Sequence, residues 1–560
     1  MGIAVLSNVN MDSLIKRLNK KYDVYQPAGY GNWIKELANN TSDCWKANPD
    51  AVFLIFDGEQ LIYNKMTIEE MKEEIDQVIL FVKNAVRCHQ NTHFFVSSID
   101  IKSLRIRDMK TVVFEREIEN YYYQKLIELN NEYDHFVIFD LKHLVEEYGR
   151  KYFYSEKLWY YGGMPFSMQA EKEIEKEIVS CMNALLGHRK KCLVVDLDNT
   201  LWGGVIGEDG LEGLDLEEQG KGARYRDFQR RIKEIQDVGV ILAVVSKNNL
   251  SDVQEVFLKH KAMVLVEDDF VATKINWLPK HENIKEIASE LNIGLDSLVF
   301  IDDMPVERQT VASQLPDVTV PKFPEDTADL SNFAMEIYRN YFRIIQVNTE
   351  DKKKTVMYKE NAKRQQELHN SNSYEEFLQS LQTKITLWKA GQEDVGRIAQ
   401  LTQKTNQFNV MTKRYTEQQV KELLEKETIN VYIGSVQDKY GDNGKVIVVI
   451  VRKEGTEAEF DTFLMSCRVM GRYIEEQVLR AIEHELYQQG IRHVTAYYEP
   501  TQKNKPVEQF FENMQYQLIS TDLKGAKQYS FQLKDDNKIA RKAFGELILR
   551  EDSSYRISSS

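Results

Sequence analysis

The sequence has few cysteines and no pattern among them. Five cysteines are scattered over 560 residues, and they form neither a Cys-x-x-Cys pair nor a Cys/His cluster. This spacing argues against a disulfide framework and against a zinc-binding module. It is typical of a protein of the reducing cytoplasm, where thiols stay free.

The sequence also lacks an excess of basic residues and long apolar runs. The net charge is -14, and no basic run offsets it, which argues against general nucleic-acid binding. No apolar run approaches the length of a membrane span, and the N-terminus lacks the basic-then-apolar pattern of a signal peptide. Leu6 stands where a myristoylated protein needs Ser or Thr. We therefore expect a cytoplasmic protein that binds neither membrane nor nucleic acid.

The length of the chain predicts several domains. A chain of 560 residues with 42% apolar residues is too long for one hydrophobic core, and about three domains are expected. Alternation of apolar strand-like runs with helical patterns predicts an α/β multidomain fold. The predicted segments are an α/β domain (1–188), a central domain with a parallel sheet (189–345), a helical connector (346–374), a mixed α/β domain (375–545) and a flexible tail (546–560).

The first domain has the pattern of a three-layer α/β fold. Short apolar runs such as 51–56 predict strands, and the helical spacing of apolar residues over 67–87 predicts a long helix. Ser7 follows the first strand, and Asp140 and His143 are spaced as Asp-x-x-His. This arrangement resembles SGNH hydrolases. The glycine-rich surroundings of the serine are missing and His143 comes early, so we expect a degenerate domain kept for packing or docking.

The stretch 192–210 carries the main chemical signal. Leu193 to Val195 is an apolar run typical of a strand buried on both faces, and Asp196 and Asp198 follow it directly. Ligands of open α/β sheets gather beyond the carboxyl ends of the strands. Two carboxylates this close repel each other unless a cation joins them. Mg²⁺, which prefers oxygen ligands, is the expected partner.

Three further signals follow along the central domain. Ser246 ends the apolar run 240–245, Lys280 begins a helical pattern, and Asp302 and Asp303 end the run 298–301. A hydroxyl at a strand end can hold phosphate oxygens, and a lysine can neutralise a transferring phosphoryl group. Each signal alone is common, but their order along the chain is the order that one chemistry requires.

The series Asp-x-Asp-x-Thr, Ser, Lys and Asp-Asp resembles the haloacid dehalogenase superfamily of phosphotransferases. The resemblance implies a central Rossmannoid parallel sheet in which Asp196 accepts the phosphoryl group as an aspartyl phosphate and Asp198 is the general acid and base. It implies that Ser246 and Lys280 hold the phosphoryl oxygens. The expected Mg²⁺ site consists of Asp196, Asp198, Asp302 and Asp303. The expected substrate-binding residues of this domain are Thr200, Trp202, Gly203, Gly204, Lys247 and Asn248, with Trp202 suited to a flap over a ligand.

The loop that follows Asp196, together with other segments, resembles one particular family. The segments 196–210 and 301–308, together with 159–167 and 357–364, resemble FkbH-like proteins. Only about 45 residues separate Thr200 from Ser246, so a large cap domain has no room. An open site suits a bulky substrate or a group presented by another domain.

The last domain combines a predicted strand, 459–465, with a loop and an amphipathic helix, 474–488. Arg468, Gly471 and Arg472 lie in the loop, and this is an anion-binding layout. It resembles the loop of GNAT-like acyltransferases that binds the diphosphate of coenzyme A. Acyl carrier proteins bear the same phosphopantetheine arm as coenzyme A. Tyr473 replaces the small residue usual there, which argues against binding of free coenzyme A. The polar-aromatic stretch 403–408 is a candidate lining of the same cleft.

Cys467 lies beside Arg468 and close to a helix start, and both neighbours favour a reactive thiolate. The resemblance to FkbH-like proteins implies that a glyceryl group from 1,3-bisphosphoglycerate is captured as a protein thioester. The group then loses its phosphate and passes to an acyl carrier protein of polyketide-type biosynthesis. Cys467 is the candidate acyl-bearing thiol. Two alternatives stay open: a stand-alone Mg²⁺-dependent phosphatase or acyltransferase for another acid, and a non-catalytic docking scaffold.

Overall fold

The computed structural model describes residues 2–63, 65, 67–102, 108–110, 114–347, 354–534 and 543–550. It has a mixed α/β fold with two parallel sheets and one mixed sheet, as the sequence predicts. The chain forms two compact units, Met1–Met182 and Asn183–Ser560. The finer five-part division stays a prediction, and residues 551–560 of the predicted tail lie outside the described residues.

The first unit contains a five-stranded parallel sheet of order β2-β1-β3-β4-β5. Its strands are β1 (Gly2–Ser7), β2 (Asp23–Tyr25), β3 (Ala51–Ile55), β4 (His93–Ser97) and β5 (Phe136–Phe139). Its helices are Asp12–Leu18, Trp33–Ala38, Asp43–Lys46, Gly58–Leu61, Ile68–Cys88, Phe114–Glu132, Leu141–Tyr148, Arg150–Phe153, Glu156–Gly162 and Met168–Leu185, the last of which ends beyond the unit boundary.

The long helix Ile68–Cys88 shows why this unit folds as its sequence predicts. Thr67 and Glu70 form a capping box at its start, which satisfies backbone N–H groups that have no partner within the helix. Met71, Ile75 and Val82 recur at helical spacing and are buried. They pack against the apolar side chains of the sheet in one core.

The second unit begins with a four-stranded parallel sheet of order β8-β7-β6-β9. Its strands are β6 (Cys192–Val195), β7 (Ile241–Ser246), β8 (Phe270–Ile275) and β9 (Leu298–Ile301). Its helices are Ile206–Gly213, Ala223–Asp237, Leu250–Lys259, Lys280–Glu290, Pro305–Gln314 and Leu330–Ile337. Leu193 and Val195 of β6 face one apolar core, while Cys192 and Val194 face another, so this strand is buried on both sides.

A nine-stranded mixed sheet fills the rest of the second unit, in the order β16-β17-β15-β14-β13-β12-β10-β18, with β11 paired to β14. Its strands are β10 (Thr383–Lys389), β11 (Phe408–Asn409), β12 (Ile429–Asp438), β13 (Gly441–Glu454), β14 (Glu457–Met465), β15 (His493–Tyr498), β16 (Gln517–Thr521), β17 (Lys527–Gln532) and β18 (Gly545–Arg550). The helices of this region are Lys354–Asn370, Tyr374–Ser380, Val395–Lys404, Glu417–Leu424, Ile474–Gln488 and Phe510–Asn513.

A buried ion pair ties the helix Lys354–Asn370 to this sheet. The Arg364 guanidinium donates two hydrogen bonds to the Asp438 carboxylate, from Nε at 2.7 Å and from Nη2 at 2.8 Å. Arg364 is only 1% exposed, so the pair is nearly shielded from water. Such two-point pairing fixes geometry as well as charge. The predicted connector therefore contains a helix that is anchored to the last sheet.

Several predicted elements differ in the structure. The stretch 440–444, whose Gly and Asn residues predict a turn, belongs almost entirely to β13, which begins at Gly441, and register shifts interrupt the pairing of β12 with β13. The stretch 506–514, for which the sequence predicts a helix, forms a 3₁₀ turn, Lys505–Val507, followed by the short helix Phe510–Asn513. The glycine-rich flap after Trp202 contains the helix Ile206–Gly213, interrupted at Gly210, where φ is 65°. Within the part of the chain that the structure describes, none of the helices combines the length and apolar character needed to cross a bilayer.

Candidate active site

The strands β6 and β9 bring three acidic residues to one edge of the parallel sheet. The last residues of the two strands, Val195 and Ile301, are paired, so Asp196 and Asp302 leave the sheet side by side. Asp196 is 5% exposed and Asp302 is 0% exposed. One carboxylate oxygen from each of Asp196, Asp302 and the adjacent Asp303 lies within 4.8 Å of the others. The sequence predicted this convergence, since carboxyl ends of parallel strands meet at one edge.

Lys280 lies between two of these carboxylates. Its Nζ is 3.0 Å from Asp196 Oδ2 and 2.5 Å from Asp302 Oδ2, and its side chain is 3% exposed. Burial by itself would lower the pKa of the Lys280 amine, but the two carboxylates raise it by more. The net shift of the pKa is upward, so the amine is charged. Burial raises the pKa of Asp196 to about 7 against the opposing effect of Lys280. The ammonium is thus held where it offsets the charge of the acidic group.

The acidic group fits a divalent cation. Asp196 Oδ1 is buried and has no hydrogen-bond partner among the described residues. A buried carboxylate oxygen without a donor is costly unless a cation or proton meets it. Three carboxylates with hard oxygen ligands suit Mg²⁺. Burial, and next the charge of Asp302, also raise the pKa of Asp303, as expected where carboxylates gather.

Two residues hold the acidic loop in place. Arg308, near the start of the helix Pro305–Gln314, donates from Nη1 to the carbonyl oxygens of Asp302 and Asp303, at 2.6 Å each. Thr200 Oγ1 accepts a hydrogen bond from the Asp303 backbone N–H at 3.2 Å. No role in the site was expected for Arg308 from the sequence. Its one signal in the sequence was its place at the end of the segment 301–308, which resembles FkbH-like proteins.

Asp198 is not part of the acidic group. Its Oδ1 accepts hydrogen bonds from Trp202 Nε1 at 2.9 Å and from the Ile206 backbone N–H at 3.2 Å. Its Oδ2 accepts one from Asn248 Nδ2 at 2.9 Å. Trp202 is fully buried and packs against Phe257 in the core. The structure therefore gives Trp202 a place beneath Asp198 instead of the predicted place in a flap over the ligand.

The residues after β7 are close to the same edge. Ser246 is 2% exposed, and its hydroxyl accepts a hydrogen bond from Asn248 Nδ2 at 3.2 Å. Burial raises the pKa of the Asp196 carboxyl, and the hydrogen bond from Ser246 lowers it by a smaller amount. Lys247 instead forms an ion pair with Glu307, with Nζ 2.6 Å from Oε1. Ser246 thus contacts the predicted nucleophile directly, while Lys247 and Asn248 are engaged by protein groups.

Gly203 and Gly204, predicted to bind substrate, use their backbone N–H groups within the loop. Gly203 N–H donates to the Asp215 carbonyl oxygen at 3.1 Å, and Gly204 N–H donates to Asn199 Oδ1 at 2.9 Å. A Cβ on Gly203 would lie 2.7 Å from atoms of Asp215 and Tyr225, so this position has no space for a side chain. The two glycines allow the loop to close tightly under Asp198.

The predicted anion-binding loop lies between β14 and the helix Ile474–Gln488, as expected. Arg472 is buried and donates to Asp438 Oδ2 at 2.9 Å and to the Arg468 carbonyl oxygen at 2.9 Å. Arg468 donates from Nε to Ser466 Oγ at 3.2 Å. The Gly471 carbonyl oxygen accepts from the Tyr374 hydroxyl at 2.5 Å. Burial lowers the pKa of Arg472 to about 10.

Cys467 is partly buried in the 3₁₀ turn Cys467–Val469. Its carbonyl oxygen accepts from Asn292 Nδ2 at 3.4 Å, and Asn292 precedes β9. The neighbouring Tyr358 packs on the core that includes Cys192, the first residue of β6. Asp196 leaves the other end of β6, four residues or about 13 Å along the strand. The candidate thiol and the acidic group therefore lie at opposite ends of the parallel sheet.

The segment Phe408–Val410 occupies the opening between two diverging strands. The parallel strands β14 and β15 pair only over Glu457–Phe460 and His493–Ala496. Beyond that point β11 pairs with Leu464 and Met465, and the Val410 carbonyl oxygen accepts from the Glu499 N–H at 2.8 Å. The predicted cleft-lining stretch 403–408 thus leads into a segment that fills the gap between the strands.

In the first unit, the three candidate hydrolase residues have other partners. Ser7 is buried, and its hydroxyl accepts from the Val9 N–H at 3.2 Å. Asp140 accepts from the Ser98 hydroxyl at 2.8 Å and caps the helix Leu141–Tyr148. The His143 side chain is 57% exposed, with Nε2 4.0 Å from Glu147. These contacts are structural in kind.

The chain is similar to a solved structure from Bacteroides fragilis, described as the N-terminal part of the protein BF1531, containing a phosphatase domain complexed with Mg. The two are 27% identical with a TM-score of 0.56, over 62% of this chain and 94% of that chain. No known family's sequence profile matches the chain, and no curated protein matches it.

Two acetyltransferase structures match smaller parts of the chain. The ribosomal-protein-S18-alanine N-acetyltransferase from Escherichia coli is 11% identical, with a TM-score of 0.22, over 27% of this chain and 94% of that chain. An acetyltransferase from Thermus thermophilus is 14% identical, with a TM-score of 0.22, over 27% of this chain and 99% of that chain. Likenesses this slight carry no argument about function.

Proposed function

We propose that the chain is a Mg²⁺-dependent phosphatase of the haloacid dehalogenase type that is coupled to acyl transfer. The observation that carries the proposal is the buried set of Asp196, Lys280 and Asp302 at the ends of β6 and β9, with Asp196 Oδ1 left without a partner among the described residues. The likeness to a solved structure described as a phosphatase domain complexed with Mg supports it.

Asp196 is the proposed nucleophile. A carboxylate oxygen of Asp196 forms a bond to phosphorus, the phosphate ester bond breaks, and the leaving oxygen takes a proton from Asp198. Water then attacks the aspartyl phosphate, giving its proton to Asp198 and releasing phosphate. Lys280 and Ser246, which contact Asp196, neutralise and orient the phosphoryl oxygens.

Asp196, Asp302, Asp303 and the backbone of Asp198 are the residues that would hold Mg²⁺. When bound, the ion neutralises charge on the transferring phosphoryl group. Lys280 would remain beside it, because its ammonium already offsets two carboxylates. Arg308 and Thr200 keep the acidic loop in position for this role.

The acyl step of the proposal uses Cys467. The thiolate attacks the acyl carbon of an acyl phosphate such as 1,3-bisphosphoglycerate, a thioester forms, and inorganic phosphate leaves. The thioester then exchanges with the phosphopantetheine thiol of an acyl carrier protein, which regenerates Cys467. Since a reactive thiol must stay reduced, we propose a cytoplasmic location, in accord with the absence of disulfides among the described residues.

The separation of the two sites gives the carrier protein a second task. Cys467 lies at the amino-terminal edge of the parallel sheet and Asp196 at the carboxyl edge. A phosphoglyceryl group on Cys467 therefore cannot meet Asp196 in this arrangement. We propose that the carrier arm collects the acyl group from Cys467 and presents its 3-phosphate to Asp196.

Intact-mass spectrometry tests this function. The protein is mixed with 1,3-bisphosphoglycerate and a phosphopantetheine-bearing acyl carrier protein. The wild type should load the carrier with glycerate, Asp196→Asn should load it with phosphoglycerate, and Cys467→Ala should load nothing. Labelling that persists in Cys467→Ala removes the acyl assignment, and phosphate loss that persists in Asp196→Asn removes the phosphatase assignment.

A second candidate is a stand-alone phosphatase for a small phosphate ester. The distance between Cys467 and Asp196 favours it, since the phosphatase residues are complete without the thiol. Turnover of free 3-phosphoglycerate at the same rate with and without carrier protein would support this candidate over the coupled enzyme.

A further inference from the structure

The carboxylate of Asp198 is held by three N–H donors. Trp202 Nε1 and the Ile206 N–H donate to Oδ1, at 2.9 and 3.2 Å, and Asn248 Nδ2 donates to Oδ2 at 2.9 Å. We call these three donors the Asp198 clamp. An indole N–H and a backbone N–H can only donate, so Oδ1 faces groups that require it to be an acceptor. Both oxygens are thus engaged, which fixes the orientation of the side chain.

The clamp is itself held rigidly. Trp202 is 0% exposed and packs edge-on against Phe257, with ring centroids 6.3 Å apart. Asn248 is 5% exposed and also donates to Ser246 Oγ, so its amide joins the loop after β6 to the loop after β7. Rigid support of this kind holds a catalytic group within the narrow geometry that proton transfer needs.

We infer that Trp202 and Asn248 are positioning residues that aim Asp198 at the leaving group of the substrate. The inference deepens the proposed function and rests on it, because it takes Asp198 as the proton donor. The indole of Trp202 contributes through Asp198 and touches no substrate, since its ring is buried.

The inference has a chemical consequence that a purely structural role lacks. A phosphate ester with a poor leaving group, such as ethyl phosphate, needs a proton on the departing oxygen. An ester with a good leaving group, such as p-nitrophenyl phosphate, departs without one. Misplacing Asp198 should therefore slow the first ester far more than the second. General damage to the fold would slow both equally.

The test compares kcat/KM for ethyl phosphate and p-nitrophenyl phosphate in the Mg²⁺-loaded full chain, because kcat/KM covers the steps up to departure of the leaving group and not the later hydrolysis of the aspartyl phosphate, in which Asp198 also acts. Trp202→Phe keeps an aromatic ring and removes the N–H. We expect kcat/KM to fall about tenfold or more for ethyl phosphate and by less than about threefold for p-nitrophenyl phosphate. Asn248→Ala removes the donor to the other oxygen and should give the same pattern.

Trp388→Phe is the matched control. Trp388 is 2% exposed and donates from Nε1 to Asp394 Oδ2 at 3.1 Å, in the mixed sheet. The variant Trp388→Phe loses the same kind of hydrogen bond, but outside the parallel sheet. The ratio of its rates on ethyl phosphate and p-nitrophenyl phosphate should therefore equal that of the wild type.

Asp198→Asn separates failure of the inference from failure of the proposed function. If Asp198→Asn lowers kcat/KM equally for both esters, Asp198 is not the proton donor and both statements fall. If Asp198→Asn shows leaving-group dependence but Trp202→Phe and Asn248→Ala do not, the function stands and the inference is overturned. Should Trp202→Phe not fold, Asn248→Ala decides by the same criterion.

Discussion

The backbone carbonyl oxygen of Cys467 accepts a hydrogen bond from the side-chain amide of Asn292 at 3.4 Å. Asn292 lies in the turn before β9, and Asp302 follows the other end of that strand. The contact therefore places the candidate thiol at the edge of the sheet that the acidic group does not occupy. Chemistry at the two places requires a group that travels between them.

This separation predicts what happens without a carrier protein. When the wild type is mixed with 1,3-bisphosphoglycerate alone, we expect the Cys467 adduct to keep its phosphate, as it does in Asp196→Asn, because the adduct cannot reach Asp196. Intact mass distinguishes glyceryl from phosphoglyceryl adducts. A wild-type adduct that has lost its phosphate in the absence of carrier would contradict the predicted order of steps.

Removal of divalent cations should abolish phosphatase activity and lower stability. Three carboxylates meet within 4.8 Å, and an ion bound there stabilises only the folded chain. Mg²⁺ at a hundred times its dissociation constant should raise the free energy of unfolding by about 2.7 kcal/mol. Phosphate release and thermal unfolding in EDTA, with and without added Mg²⁺, measure both effects. Asp302→Asn should reduce the effect of Mg²⁺ on both activity and stability. Full activity in EDTA would exclude the metal site.

Lys280→Met should be destabilising in the absence of metal. The substitution leaves the buried carboxylates of Asp196 and Asp302 without their shared cation. Removing one partner of a buried ion pair lowers the free energy of unfolding by about 3–5 kcal/mol. Because Mg²⁺ replaces the missing charge, it should stabilise the variant more than the wild type, while activity stays low. Urea unfolding with and without Mg²⁺ tests this, and the exposed pair of Lys322 with Glu325 supplies a control, Lys322→Met.

Asp57→Asn should stabilise the first unit at neutral pH. Burial raises the pKa of Asp57 from 3.8 to about 6. Ionisation of this carboxyl therefore costs more free energy in the folded chain than in the unfolded chain. Stability therefore falls as pH rises from about 4 to 6. Asparagine removes the charge and keeps an acceptor for the Gln60 N–H, which lies 3.0 Å from Oδ1. The gain at pH 7 should be up to about 3 kcal/mol.

The pH dependence of that gain is the decisive part of the measurement. Thermal unfolding of wild type and Asp57→Asn should differ at pH 7 and converge below about pH 3, where the wild-type carboxyl is protonated in both states. The exposed Asp134 offers a control, since Asp134→Asn should change little at either pH. A gain of equal size at both pH values would show that the buried charge is not its cause.

The parallel sheet and the acidic edge could be predicted from sequence because they follow from local pattern. The apolar runs that became β6, β7 and β9 are buried along their whole length, and the polar residues stand where each run stops. The strand β8 escaped prediction because its second half, Thr273 to Ile275, is only partly buried and does not continue an apolar run. In the mixed sheet, β16 is exposed throughout, so no pattern of burial marks it.

The sequence by itself determined which residue types reach the edge of the parallel sheet, since strand burial and chain order settle that locally. Only the tertiary structure decided what each side chain contacts. Asp198 meets Asn248, Arg472 meets Asp438, and Cys467 meets Asn292, and in each pair the partner is 34 or more positions away. Many acceptors along the chain could satisfy each of these donors, and the packing of whole elements decides which one it meets.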